Sequence, residues 1–204
     1  MSRGCFITFE GLDGSGKSTQ IQKLKEFLEA EGREVILTRE PGGTDIGEKI
    51  RGIILDPSNT EMADMTEAYL YAAARAQLVR QLIQPALSEG KIVICDRFVD
   101  SSVAYQGFGR MMGESVKLLN SFAVDDCVPD ITFLLRLKPQ GGHARIAGRE
   151  LDRIELEGMD FHQRTFEGYE KIASDEKDRV VVVDASGSID EIHEVIRDKV
   201  RDFL

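Results

Sequence analysis

The chain has 204 residues, 42% hydrophobic and 30% charged, which suits one globular domain able to bury roughly 70% of its unfolded surface without disulfide or metal staples. Its 36 acidic against 26 basic residues give a net charge of −10, which argues against nucleic acid or any partner bound by neutralising a polyphosphate backbone, so a phosphate site must be local. Cys5, Cys95 and Cys127 are odd in number and form no Cys-x-x-Cys pair, no run of about 18 apolar residues occurs, and no basic-then-apolar leader precedes Cys5, so the expectation is a cytoplasmic protein with reduced thiols and no membrane partner.

The first apolar run, 5–9, leads into Gly11-Leu-Asp-Gly-Ser-Gly-Lys-Ser-Thr19, the pattern Gly, four residues, Gly-Lys-Ser/Thr of a phosphate-binding P-loop. Gly11, Gly14 and Gly16 permit the turns that aim successive backbone N–H groups at a phosphate; Lys17 can reach β- and γ-phosphates, and the Ser18 hydroxyl can reach Mg²⁺. Ile21, Leu24 and Leu28 follow at helical spacing, so the loop joins a strand to a helix N-terminus, where an anion is stabilised.

Further β-branched runs at 34–38, 91–95, 131–137 and 180–183 read as strands buried on both faces, separated by stretches long enough for right-handed helical crossovers. With the P-loop, they predict an α/β fold of P-loop NTPase type: three layers, a five-stranded parallel sheet flanked by helices, and a single domain over 1–204 without repeat or linker.

The second run ends in Thr38-Arg39-Glu40-Pro41-Gly42-Gly43-Thr44, a sharp loop at the sheet edge where ligands sit, followed by a helix with Ile46, Ile50, Ile53 and Ile54 on one face. Two readings stand for Arg39 and Glu40: ligand contacts, or an exposed ion pair beside a turn. The next helix, 64–88, projects Tyr71 and Arg75 from one face, as a base-stacking and base-bonding pair or as core packing with a snorkelling arginine. Asp96, ending the third run beside the P-loop, occupies the position of a Mg²⁺-holding carboxylate, with Arg97 next to the transferring phosphoryl group. Ser101, Ser102, Tyr105 and Gln106 add more hydrogen-bonding groups than a connection needs. After the fourth run, Arg145, Arg149 and Arg153 with Gly148 suggest a mobile basic lid over 142–153, or a solvated charged face. His143, His162 and His193 lack metal-ligand spacing, and the remainder reads as scaffold.

Together, Glu10-Gly-Leu-Asp-Gly-Ser-Gly-Lys-Ser18, Thr38-Arg-Glu-Pro-Gly-Gly-Thr44, Asp96-Arg97, Asp100-Ser-Ser-Val-Ala-Tyr-Gln-Gly107 and Leu151-Asp-Arg-Ile-Glu155 resemble the bacterial thymidylate kinase family in order and spacing, over essentially the whole chain. The resemblance implies transfer of the γ-phosphoryl group of MgATP to dTMP by a homodimer, with ATP held by Gly11, Asp13, Gly14, Ser15, Gly16, Lys17, Ser18, Thr19 and Arg145. It implies that Asp13 contacts the sugar 3′-hydroxyl, Arg39 and Arg97 the acceptor phosphate, and Ser18, Glu40 and Asp96 the metal. Tyr71 falls where the family stacks a Phe on thymine, Arg75 where it bonds the base O4, Ser102 and Gln106 at the base edge, and Tyr105 where a ribose 2′-hydroxyl would clash. Lys17, Arg97, Arg149 and Arg153 are the implied catalytic set.

Two departures accompany it: Tyr71 replaces the usual Phe, and around the lid Arg136 stands where Asp is usual while Arg149 follows Gly148 instead of preceding a glycine. The rivals are another P-loop nucleoside monophosphate or nucleoside kinase and, in a different class, a nucleotide-dependent switch. The chain carries no Asn-Lys-x-Asp segment to read guanine, which disfavours the switch.

Overall fold

The computed structural model describes residues 3–148 and 150–204. In chain order the elements are β1 (Phe6–Glu10), α1 (Lys17–Ala30), β2 (Val35–Arg39), α2 (Asp45–Leu55), α3 (Asp64–Leu78), α4 (Gln84–Ser88), β3 (Ile92–Asp96), α5 (Val99–Ser102), α6 (Ser115–Val124), β4 (Ile131–Arg136), α7 (Pro139–Ile146), α8 (Met159–Asp175), β5 (Val180–Asp184) and α9 (Ile189–Phe203). The five strands form one parallel sheet in the order β2-β3-β1-β4-β5, as expected for an α/β three-layer fold.

One layer buries Ile7 and Phe9 against Leu24 and Leu28 of α1 and Ile192, Ile196 and Val200 of α9. The opposite layer has two parts: Phe6, Val93 and Cys95 meet Leu78, Val79, Ile83 and Leu87, while Leu134 and Val180 meet Phe161, Tyr169 and Ile172 of α8. β1 is buried at all five positions, but β2 is only half-buried and β5 mixed, because each lies at a sheet edge. Burial on both faces therefore holds for the central strands and not for these two.

The helix expected at 64–88 is interrupted. Pro85 has no N–H to give the preceding turn, and the chain widens into a π-helical turn over Val79–Ile83 before α4 resumes it. A second π-helical segment, Val103–Gly109, carries Tyr105 and Gln106. On α2 only Ile54 of the four isoleucines is fully buried; Ile46 and Ile53 are about half exposed, at 51% and 49%. Cys5, Cys95 and Cys127 are buried free thiols. Among the described residues no helix is long and apolar enough to cross a membrane.

Candidate active site

A cavity of about 540 Å³ opens over the carboxyl ends of β1, β2 and β3, where Phe9, Arg39 and Asp96 lie in register. Its floor is the loop between β1 and α1. Gly14 and Gly16 take φ of +78° and +94°, left-handed values that an L side chain rarely adopts, and Gly16 caps α1. Lys17 Nζ donates to Gly11 O at 2.9 Å and Leu12 O at 3.1 Å. Burial pushes its pKa down to about 8, with Arg97 adding to the effect and Asp13, Asp96 and Glu10 opposing it. The Ser15 hydroxyl is buried without a hydrogen-bond partner.

Asp13 and Arg97 meet at the centre. Arg97 holds φ +66°, directly after β3, and its Nη2 donates to Asp13 Oδ1 at 2.8 Å. The Tyr105 hydroxyl donates to Asp13 Oδ2 at 3.3 Å, and the guanidinium lies 5.1 Å from the Tyr105 ring centroid. Burial works against the Asp13 charge, but Arg97 and Lys17 outweigh it and hold the carboxyl well below the usual range. Behind Arg97, Glu10 accepts from Phe98 N at 2.7 Å, Ser101 Oγ at 2.6 Å and Tyr169 OH at 2.8 Å. Arg97 Nη1 donates to Ser101 Oγ and Tyr169 OH, each at 3.2 Å, so the arginine is braced from both sides. Burial, with Asp100 nearby, pushes the Glu10 pKa up to about 7.

The end of β2 supplies Arg39 and Glu40, and α2 supplies Arg51. Arg39 lines the cavity and also pairs with Glu48 at 2.8 Å, half-exposed as the ion-pair reading expects. Glu40 is buried with Oε2 on Arg75 and Oε1 without a partner, and burial lifts its pKa to about 7 against the pull of Arg75. Arg75 lines the cavity but directs its donors at protein: Nε and Nη2 at Glu40, Nη2 also at Phe98 O, and Nη1 at Ser102 Oγ and Asn120 Oδ1. The snorkelling alternative is excluded because the side chain is 1% exposed, and a base carbonyl would have to share a hydrogen already given to one of these acceptors.

Tyr71, Tyr105 and Gln106 line the cavity, whereas Ser102 is not among the lining residues and accepts from Arg75. Ser18, Thr19 and Asp96 also line the cavity, and Asp96 Oδ1 is buried without a partner. That orphaned carboxylate oxygen and the Ser18 hydroxyl are hard oxygen donors that fit Mg²⁺. Among the described residues no group of three or more His, Cys, Asp or Glu forms a cage; Mg²⁺ is commonly bound through one or two carboxylates plus phosphates.

The arginines of the lid segment separate. Residues 139–146 are helical, and α7 sits directly on the P-loop: a Cβ on Gly142 would strike Asp13 O, and one on Gly14 would strike Gly142 O. Arg145 lines the cavity and donates to Gly14 O at 3.2 Å and Ala185 O at 3.1 Å. Arg153 corrects the expectation of a cavity-facing arginine: it is turned away, with Nε on Ile54 O at 2.7 Å and Nη2 on Glu67 at 2.6 Å. A buried carboxylate claims it, which a reading of local charge spacing does not reveal. Arg149 lies outside the described residues. His143 and His162 pack ring against ring beneath the loop at 4.9 Å, and no chemistry is assigned to them.

Sequence reasoning passed over Arg51 and Tyr169, and it quoted Ser101 and Glu155 without assigning either a role at the site. Arg51 lines the cavity and donates to Pro41 O at 3.0 Å. Its spacing from buried Gly47 and Ile54, at i, i+4 and i+7, was the available signal. Tyr169 is placed by contacts distant in sequence, with Glu10, Arg97 and Ser101.

A family model described as thymidylate kinase matches residues 9–196. The chain is 50% identical over 194 residues to the thymidylate kinase of Geobacillus sp. (strain WCH70), covering 93% of this chain and 92% of that one. It is also 50% identical over 187 residues to the thymidylate kinase of Bacillus velezensis (strain DSM 23117 / BGSC 10A6 / LMG 26770 / FZB42), with 90% and 88% covered. The crystal structure of thymidylate kinase from Ehrlichia chaffeensis superposes with a TM-score of 0.80 at 34% identity, covering 98% of this chain and 99% of that chain.

Proposed function

The chain belongs to the thymidylate kinase family, and from that premise we infer that it transfers the γ-phosphoryl group of ATP to dTMP, giving dTDP and ADP. The observation that carries the reading is one cavity lined both by Lys17 with the P-loop and by Tyr71 with Gln106, with the Asp13–Arg97 pair also in its wall.

The P-loop N–H groups and Lys17 hold the triphosphate, and Arg145, anchored on Gly14 O, adds its charge beside the loop. Arg39 and Arg97 hold the acceptor phosphate, and Asp13 orients the sugar. Tyr71 stacks on the base, Gln106 reads its edge, and Tyr105 closes off the ribose 2′ position. The acceptor phosphate is already anionic at neutral pH, so the work is positioning and electrostatic stabilisation, with no dedicated general base. Ser18, Asp96 and Glu40 are the residues that would hold Mg²⁺, which when bound neutralises charge on the β- and γ-phosphates.

Three exposed apolar strips support a homodimer: Ile46 and Ile53 on α2, Met65 and Tyr69 on α3, Leu118 and Phe122 on α6. α3 packs against both of the other helices, so the strips belong to neighbouring elements, and a second copy of the chain would cover them. The buried reduced thiols and nucleotide substrates suit the cytoplasm.

ADP release with MgATP against dTMP, dUMP, CMP and AMP tests the activity. A clear preference for dTMP is expected; equal kcat/KM for dTMP and CMP would overturn the thymine reading.

A further inference from the structure

Glu67 on α3 is fully buried and is not among the residues lining the cavity, yet it gathers donors from three side chains. Gln106 Nε2 donates to it at 2.9 Å, Arg110 Nη2 at 2.9 Å and Arg153 Nη2 at 2.6 Å. Burial opposes its charge, but the bonds from Arg110, Gln106 and Arg153 together lower its pKa, so the group is a carboxylate and can only accept. An amide facing a carboxylate must present its NH₂. Gln106 is therefore fixed with Oε1 turned away from Glu67. That oxygen is buried without a hydrogen-bond partner, on a residue that is 1% exposed and lines the cavity. A buried acceptor in this state is the atom a ligand N–H would satisfy.

We propose that Glu67 is a specificity-positioning residue: by locking the Gln106 amide in one of its two orientations, it makes the cavity accept a pyrimidine with an N–H at N3 and refuse cytosine. Thymine carries that donor. Cytosine N3 is an acceptor and would face Gln106 Oε1 lone pair to lone pair, a repulsive arrangement that discriminates as effectively as a favourable contact. Without Glu67 the amide could turn its NH₂ to either ring, and the distinction would fade. Arg110 and Arg153 act one step further back, holding the carboxylate in place. The inference rests on the reading of the Tyr71–Gln106 part of the cavity as the base site.

The test compares initial rates with MgATP for dTMP, its N3-methyl analogue and dCMP in the wild type, Glu67→Gln and Gln106→Met. The wild type should favour dTMP over both others. In each variant the dTMP-to-dCMP ratio of kcat/KM should fall roughly tenfold, the worth of about one hydrogen bond, with the loss in the KM for dTMP. A merely structural role for Glu67 would lower kcat/KM for both monophosphates by one factor and leave the ratio unchanged, overturning the proposal. Gln106→Met keeps Glu67 and its arginine pairs, so it decides even if Glu67→Gln fails to fold: an unchanged ratio there overturns the proposal as well. A wild type indifferent between dTMP and dCMP overturns the base-site reading itself, whereas a selective wild type and Glu67→Gln beside a less selective Gln106→Met overturns only the role of Glu67.

Discussion

Arg97 donates to Asp13 across 2.8 Å, tying the residue after β3 to the middle of the phosphate loop, and Tyr105 occupies the other oxygen of the same carboxylate. A carboxylate so engaged holds an arginine and a phenol in one frame with the loop.

Asp13→Ala should therefore act on the acceptor. The KM for dTMP is expected to rise on the order of tenfold, the worth of a charge-assisted hydrogen bond, while the KM for ATP changes little. Steady-state kinetics with each substrate varied in turn checks this; a larger effect on ATP would return Asp13 to the role of a turn residue.

Lys17 titrates where it can be observed. Its pKa is pushed down to about 8, and bound phosphate charge should raise it again. Near pH 8 the free protein is thus partly neutral at Lys17, ATP binding takes up a proton, and affinity falls as pH rises further. Calorimetry in two buffers of different ionisation heat measures that uptake. Lys17→Met should abolish it and lower kcat by about 10²–10³; normal turnover in this variant would contradict the assignment.

Glu10 supplies a stability signature. Its folded pKa is raised from 4.5 to about 7, so between these values the native state keeps a proton that the unfolded chain has lost. Stability from this group is present at low pH, declines as pH rises through the window by on the order of 3 kcal/mol, and levels off above it. Glu40, shifted in the same direction, adds a decline of the same sign. Urea unfolding at several pH values should show a shallower decline in Glu10→Gln than in wild type, with the Glu40 share remaining.

Gly142→Ala should push α7 off the loop, because the added methyl meets the main chain at Asp13. A stability loss of about 1–3 kcal/mol is expected from such overpacking, with kcat reduced as Arg145 moves from Gly14. Thermal unfolding together with kinetics reads both, and an unaltered kcat would detach the helix from catalysis.

Phe122 is 83% exposed and Leu118 68% exposed on α6. Charging both, as Leu118→Glu with Phe122→Glu, should yield a monomer by sedimentation if the apolar strips form the interface. A dimer that persists would place the interface elsewhere.

The strands were legible to within a residue at their starts, because β-branched runs buried between helices are a strong local pattern. The P-loop and Asp96 were legible for the same reason: their geometry follows from adjacent residues. What escaped is non-local. Nothing near Arg75 announces that Glu40, Ser102 and Asn120 would consume its donors, and nothing near Arg153 points to Glu67, 86 residues away. The π-helical turns were also hidden, since hydrophobic spacing barely distinguishes one inserted residue from an ordinary helix. Edge exposure of β2 and β5 depends on strand order, which composition does not encode.

The abutment of Gly14 on Gly142 carries an evolutionary consequence. Each missing side chain leaves room for the other segment's main chain, and no substitution elsewhere can remove a peptide oxygen. Compensation, the usual escape route for a drifting sequence, is closed to both positions. Descendants of this chain could exchange its acidic surface and repack its helices, yet as long as this segment rests on this loop they must inherit the two glycines as a pair.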